Sequence, residues 1–292
     1  MPARKTDESR AEHSGPAFKA PDAIRVESPG SKLQEPGAIL AGSYGRKLQG
    51  PESEAIRKAC LYSFVPNRLG FCGKEKSWAI FQKFLGKPGG ENLLAVKNAL
   101  RSFNALFPYL ELIAGSNSLK PLDSEVIEAY WIGNALLENV PEMELQKTVL
   151  SFQRFGLPRG LAEEKASSIA DGMVPHHSFH VLHVNFISGK VPPLAKNLSE
   201  CLVSWAKAKG EKKGLIGAKG LELFSESGQL KLREKEKKLE NPFGIAPERN
   251  SFVSVHWNNA IEPLSQKRLC SLKKYTIKNL DAINNTGSLE EL

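Results

Sequence analysis

The sequence predicts an α+β protein: an N-terminal all-α part, then a small C-terminal β-barrel closed by an amphipathic helix. Three observations carry this reading. Apolar residues recur at helical spacing from Glu52 to about residue 170. The composition changes at Gly189-Lys190-Val191-Pro192-Pro193, a stiff linker. Short runs rich in β-branched and aromatic residues, separated by Gly- and Lys-rich turns, then replace the helices. The expected divisions are an extension over 1–50, a helical domain over 51–190 that ends in a His-rich strand, and the barrel with its helix over 191–292.

Residues 1–50 mix Pro, Gly, Ser and charges with few large apolar side chains. They bury too little surface to offset the entropy of ordering and are expected to be disordered. Glu54 to Phe64 reads as the first helix, ended before Pro66, with a loop of breakers over 65–73. Glu75 to Leu85 and Glu91 to Phe107 follow as amphipathic helices, the second carrying Leu93, Val96, Leu100, Phe103 and Phe107 on one stripe. Pro108 sets Tyr109 to Ala114 apart as a turn or short helix. Asp123 is placed to cap a helix through its carboxylate, and that helix carries Val126, Ile127, Tyr130 and Trp131, with the aromatic pair assigned to the core. Pro141 to Phe155 and Leu161 to Ala170 complete the helical part.

Ser178 to Ile187 is rich in Val, Phe and Ile and reads as a strand. Cys201 to Ala208, Gly214 to Phe224, Gln229 to Arg233 and Ser251 to Trp257 are the expected barrel strands. The charged stretch Arg233 to Glu240 reads as an exposed loop. Ser265 caps a last helix with Leu269, Leu272, Thr276, Leu280 and Ile283 on one face.

With 292 residues, 41% hydrophobic and 25% charged, the chain has the composition of a soluble protein and the length for two cores. It has no apolar run of membrane-spanning length and no apolar leader near its start, so a cytoplasmic location is expected and a membrane is not expected as a partner. The four cysteines, Cys60, Cys72, Cys201 and Cys270, form no C-x-x-C pair, which argues against a zinc ribbon and a disulfide framework. The net charge of +8 permits an acidic partner without requiring one. Nucleic acid is not expected, because neither a stacking motif nor a strongly basic run is present.

Four of the six histidines fall within 176–183. On a strand His176 and His180 share one face and His177 and His183 the other, so a pair from one face plus a ligand from elsewhere is the candidate metal set. His256 stands alone downstream. Cys72, in the Gly-flanked stretch Leu69-Gly70-Phe71-Cys72-Gly73, is a candidate third ligand or nucleophile. Glu111, Glu128 and Asn134 are the polar residues amid apolar segments that would complete such a site.

The C-terminal segment resembles the HypC-type chaperones of nickel-iron hydrogenase maturation. Cys201-Leu202-Val203-Ser204-Trp205 matches their Cys-led strand, and Phe252-Val253-Ser254-Val255-His256 leading into Ala260-Ile261 matches their His signature. The helix over 264–283 matches theirs. The resemblance implies an iron site at Cys201 and His256, although here the Cys is internal and lacks the family's Pro-Gly turn. Pro66 to Gly73, Pro108 to Ala114, Glu128 to Asn134 and Pro175 to Val181 together resemble an uncharacterised prokaryotic family found near hydrogenase genes. The two resemblances together imply a non-enzymatic metallochaperone or assembly factor that carries iron, with zinc and nickel suiting the same donors. Its partners would be hydrogenase maturation proteins or the hydrogenase large subunit. The alternative is a metal-dependent enzyme at the 176–183 cluster, which lacks the carboxylate partner of an H-E-x-x-H motif.

Overall fold

The computed structural model describes residues 50–87, 90–185, 187 and 191–286, all within one compact unit. The expected extension lies outside the described residues apart from Gly50. The helical part comprises α1 (Pro51–Arg68), α2 (Ser77–Gly86), α3 (Gly90–Arg101), α4 (Phe107–Ser116), α5 (Ser124–Trp131), α6 (Glu142–Ser151) and α7 (Arg159–Ser167), with 3₁₀ turns at Ala135–Asn139 and Phe152–Phe155. It is followed by α8 (His177–Phe179), which widens into a π-helical turn over His180–Val184, and by α9 (Ala195–Cys201). Strands β1 (Ser204–Lys212), β2 (Leu215–Glu226), β3 (Gln229–Glu240), β4 (Phe252–His256) and β5 (Asn259–Leu264) close a barrel in the order β1-β2-β3-β5-β4. Helix α10 (Gln266–Asn285) follows, its first turn capped by the Ser265 hydroxyl accepting from the Arg268 N–H.

Helix α1 passes through Pro66 instead of ending before it. The lost hydrogen bond falls in the last turn: Pro66 has no N–H to offer the Tyr62 carbonyl, while its own carbonyl accepts from the Phe71 and Cys72 N–H groups. Asp123 does stand at the N-cap of α5, but its carboxylate accepts from the Lys120 N–H and makes no bond into the helix. Arg233 to Glu240, expected as a loop, is the second half of β3. Its charges project from both faces, which are exposed there: Arg233 and Lys235 pair with Glu222 on one, and Glu234 pairs with Lys219 on the other.

Three hairpins have two-residue loops: Lys213-Gly214, Ser227-Gly228 and Trp257-Asn258, and both residues of each carry positive φ. That is the type I′ geometry matching the twist of a strand pair. The first two end in Gly. The third has Trp257 at φ 51°, a conformation rare for a bulky residue, and it stands directly after His256.

The core runs from α1 through the barrel. Tyr62 of α1 is fully buried, with its hydroxyl 2.8 Å from both Ser254 Oγ and Glu262 Oε1. Arg268 donates to Glu262 at 2.6 Å and to Glu128 at 2.7 Å, and Lys58 pairs with Glu128. Two carboxylates and two cations thus form a chain from α1 and α5 to β5 and α10. Gly133, at φ +95°, lets α10 close onto α5: a Cβ there would lie 2.2 Å from the Tyr275 ring.

Candidate metal centre

The histidine segment is helical, correcting the expected strand over 178–187. Every residue from His177 to Val184 is buried, and a fully buried apolar run has no alternation by which a strand is told from a helix. His176 caps the turn, its Nδ1 accepting from the Ser178 N–H at 3.2 Å. Helical periodicity pairs the histidines differently from strand periodicity. His177 and His180, three apart, both face one cavity, whereas His176 packs beside Tyr275 and His183 Nε2 donates to the Lys165 carbonyl at 2.6 Å.

Cys201 is the last residue of α9 and not the first of a strand; β1 begins at Ser204. His256 ends β4. Its Nδ1–H donates to the Tyr62 carbonyl at 3.0 Å, which fixes the tautomer and leaves the Nε2 lone pair available. The turn after it fastens this strand end to α9: the Trp257 N–H donates to the Glu200 carbonyl at 2.6 Å, and the Trp257 ring packs on Phe71 at 4.5 Å.

One nitrogen from each of His177 and His256 and the Cys201 sulfur all lie within 4.8 Å of one another. Bonds of about 2.3 Å to sulfur and 2.0 Å to nitrogen place two ligand atoms of a tetrahedral ion about 3.5 Å apart, so small side-chain rotations close the set. Among the described residues, His177 Nδ1 and His256 Nε2 have no hydrogen-bond partner. The rings are packed on Trp131, which lies 4.8 Å from His177 and 5.7 Å from His256 and stacks on Tyr62 at 4.9 Å.

Burial sets the protonation of the group. It lowers the His256 pKa to about 4, opposed in part by the backbone of Tyr62 and Cys201. It also lowers His177 well below its ordinary value, helped by the neighbouring histidines. The Cys201 thiol is pushed up, first by burial and then by the nearby Cys72, with the Trp257 indole pulling the other way. The metal-free group at neutral pH is therefore two neutral imidazoles and a thiol.

A cavity of ≈ 240 Å³ lies against the three donors, and Cys72 and His180 line it too. Cys72 is half-buried on the loop after α1. The Asn67 amide holds this loop, donating to the Cys72 and Lys74 carbonyls at 2.6 and 2.9 Å and accepting from the Trp78 N–H at 2.6 Å. His180 Nδ1 stands 3.3 Å from the Tyr109 hydroxyl, and burial lowers its pKa to about 3. Of the residues expected to serve a site, Cys201, His256 and His177 come together, Cys72 and His180 share their cavity, and His176 lies apart. Glu111 lines a separate groove on α4, Glu128 belongs to the charge chain, and Asn134 caps the 3₁₀ turn with its side chain. Tyr130 and Trp131 are buried, as a core assignment requires, and also line the cavity. The Tyr62 carbonyl has one sign in the sequence: Pro66, four residues on in the same helix, has no N–H to donate to it, which leaves it open to His256.

A helical layer joined to a closed five-stranded barrel, with a buried His-Cys-His group where they meet, defines an α+β protein with a candidate transition-metal centre. The chain belongs to a family of unknown function, DUF6390, whose model matches residues 55–290. No curated protein and no solved structure matches it.

Proposed function

We propose that the protein is a non-enzymatic metal-binding accessory factor whose ion is held by His177, Cys201 and His256. One observation carries this reading: three donors from α8, α9 and β4, two with unpartnered ring nitrogens, lie within 4.8 Å of one another beside a cavity. A thiolate with two imidazoles suits iron, nickel, zinc or copper, and three protein ligands leave a position open for exchange. The HypC-type resemblance of residues 201–283 favours iron, a hydrogenase maturation protein or large subunit as partner, and the cytoplasm as location. Among the described residues no helix is long and apolar enough to cross a membrane. Cys201 is buried, so handover needs a relay, and half-buried Cys72 supplies a second thiol in the same cavity. The elemental content of protein purified without oxygen tests the site. Near-stoichiometric metal is expected, lost in Cys201→Ser and His256→Ala and kept in His183→Gln; full metal content in the first two variants defeats the reading.

A second reading, a metal-dependent enzyme, is favoured by the cavity, which gives a reactant room at the open position. Metal-dependent turnover of ester, amide or phosphate substrates separates it from the first.

A further inference from the structure

Most of the cavity is not needed by an ion. Its ≈ 240 Å³ compares with about 150 Å³ for an apolar protein cavity that takes up benzene, so a molecule somewhat larger than one ring fits. Phe71, Phe103, Leu106, Tyr130, Trp131 and Phe155 form much of its wall, and none of its lining residues is Asp, Glu, Lys or Arg. An ionised ligand would lose hydration there without gaining a side-chain counter-charge.

Eight buried side-chain polar atoms among the described residues lack a hydrogen-bond partner, and four belong to residues of this one cavity: Ser63 Oγ, Trp131 Nε1, His177 Nδ1 and His256 Nε2. Such atoms are rare in folded proteins because each costs desolvation. A metal ion accounts for the two imidazoles and leaves the Ser63 hydroxyl and the Trp131 N–H. Ser63 and Trp131 are 1% and 4% exposed, so bulk water does not serve them. Both can donate, and the indole can only donate.

We infer that this cavity binds an uncharged, mainly aromatic or alicyclic molecule with one hydrogen-bond acceptor, which meets Ser63 and Trp131. This goes beyond the metal reading and stands without it, because the walls and the two donors remain whether or not an ion is bound.

Acetophenone, benzoate and ethylbenzene, matched in size, test it by calorimetric titration of the protein as purified and after chelator treatment. In the chelated protein acetophenone is expected to bind at least about tenfold more tightly than benzoate or ethylbenzene, a difference of about 1.4 kcal/mol. Ser63→Ala is expected to remove much of the preference over ethylbenzene. Ala105→Trp, at a half-buried position of the cavity wall, is expected to block both neutral ligands, with circular dichroism confirming that the variant is folded. Benzoate binding as tightly as acetophenone, no acetophenone binding up to millimolar concentration, or binding that a folded Ala105→Trp variant leaves intact overturns the inference. Acetophenone binding in protein that never takes up metal would sink the metal reading alone.

Discussion

The six candidate ligand residues differ in what each is free to do. His176 Nδ1 is engaged by the first turn of α8 and its unpartnered Nε2 lies outside the three-donor group, and His180 has a tyrosine hydroxyl at one nitrogen. His177 and His256 keep an unpartnered nitrogen, and Cys201 lies between them in the chain. At neutral pH an ion entering this group displaces no proton from either imidazole, since burial lowers His256 to about 4 and His177 well below its ordinary value. It displaces one from the thiol, whose pKa burial raises. Metal affinity is therefore expected to rise tenfold per pH unit between pH 5 and 8. Competition titration with a chelator of known proton dependence measures the slope. A flat line removes Cys201 from the ligand set, and a hundredfold rise per unit brings in a second thiol, for which Cys72 is the candidate. Cys201 and His256 were legible through a resemblance in their flanking residues, and His177 was legible only as one of a cluster. Its pairing depends on whether 176–183 repeats every two residues or every 3.6, which a wholly buried segment does not reveal.

At the scale of elements, α1 to α7 follow broadly from apolar spacing, though the helix expected over Glu91 to Phe107 ends at Arg101, and α10 follows from Ser265 and its stripe. What escaped were features decided by tertiary partners. β5 was missed because its hairpin turn is Trp257-Asn258, with no Gly to announce positive φ; the Glu200 carbonyl and Phe71 hold Trp257 in place instead. The charged half of β3 was missed because its cross-strand partners are equally charged and of opposite sign. The chain of Lys58, Glu128, Arg268 and Glu262 was also invisible, its members being far apart in sequence. It gives an element-level prediction. Glu262 is 4% exposed and depends on Arg268, so Arg268→Met leaves a buried carboxylate uncompensated. A loss of about 3–5 kcal/mol is expected, from the usual cost of breaking a buried pair at one end. Adding Glu262→Gln should restore part of it. Urea unfolding of the two variants decides, and equal stability of Arg268→Met and the parent protein would show that the network contributes little.

Across the whole molecule, the buried histidines make the fold an acid-labile object even before any carboxylate is protonated. His176 and His180 are held near pKa 3 and His256 near 4, each by burial, against about 6.5 in an unfolded chain. Folding therefore excludes protons that the unfolded chain takes up below pH 6.5. The stability of the metal-free protein is complete above that pH and declines as the pH falls towards 4. The slope is up to about 1.4 kcal/mol per pH unit for each such histidine. Three of them, acting on a typical total of about 5–15 kcal/mol, exhaust much of it within roughly two pH units. The metal-free protein is thus expected to lose much of its stability between about pH 6.5 and 4.5, above the ordinary carboxylate pKa values of about 3.9 to 4.3. His180→Gln, neutral at every pH and able to keep a bond to Tyr109, should flatten the dependence by up to about 1.4 kcal/mol per unit. Urea midpoints at pH 7, 6 and 5 for both proteins measure it. Stability that stays level from pH 7 to 5 would mean that these rings take up protons in the folded state, and that the cavity beside them is wetter than its aromatic walls imply.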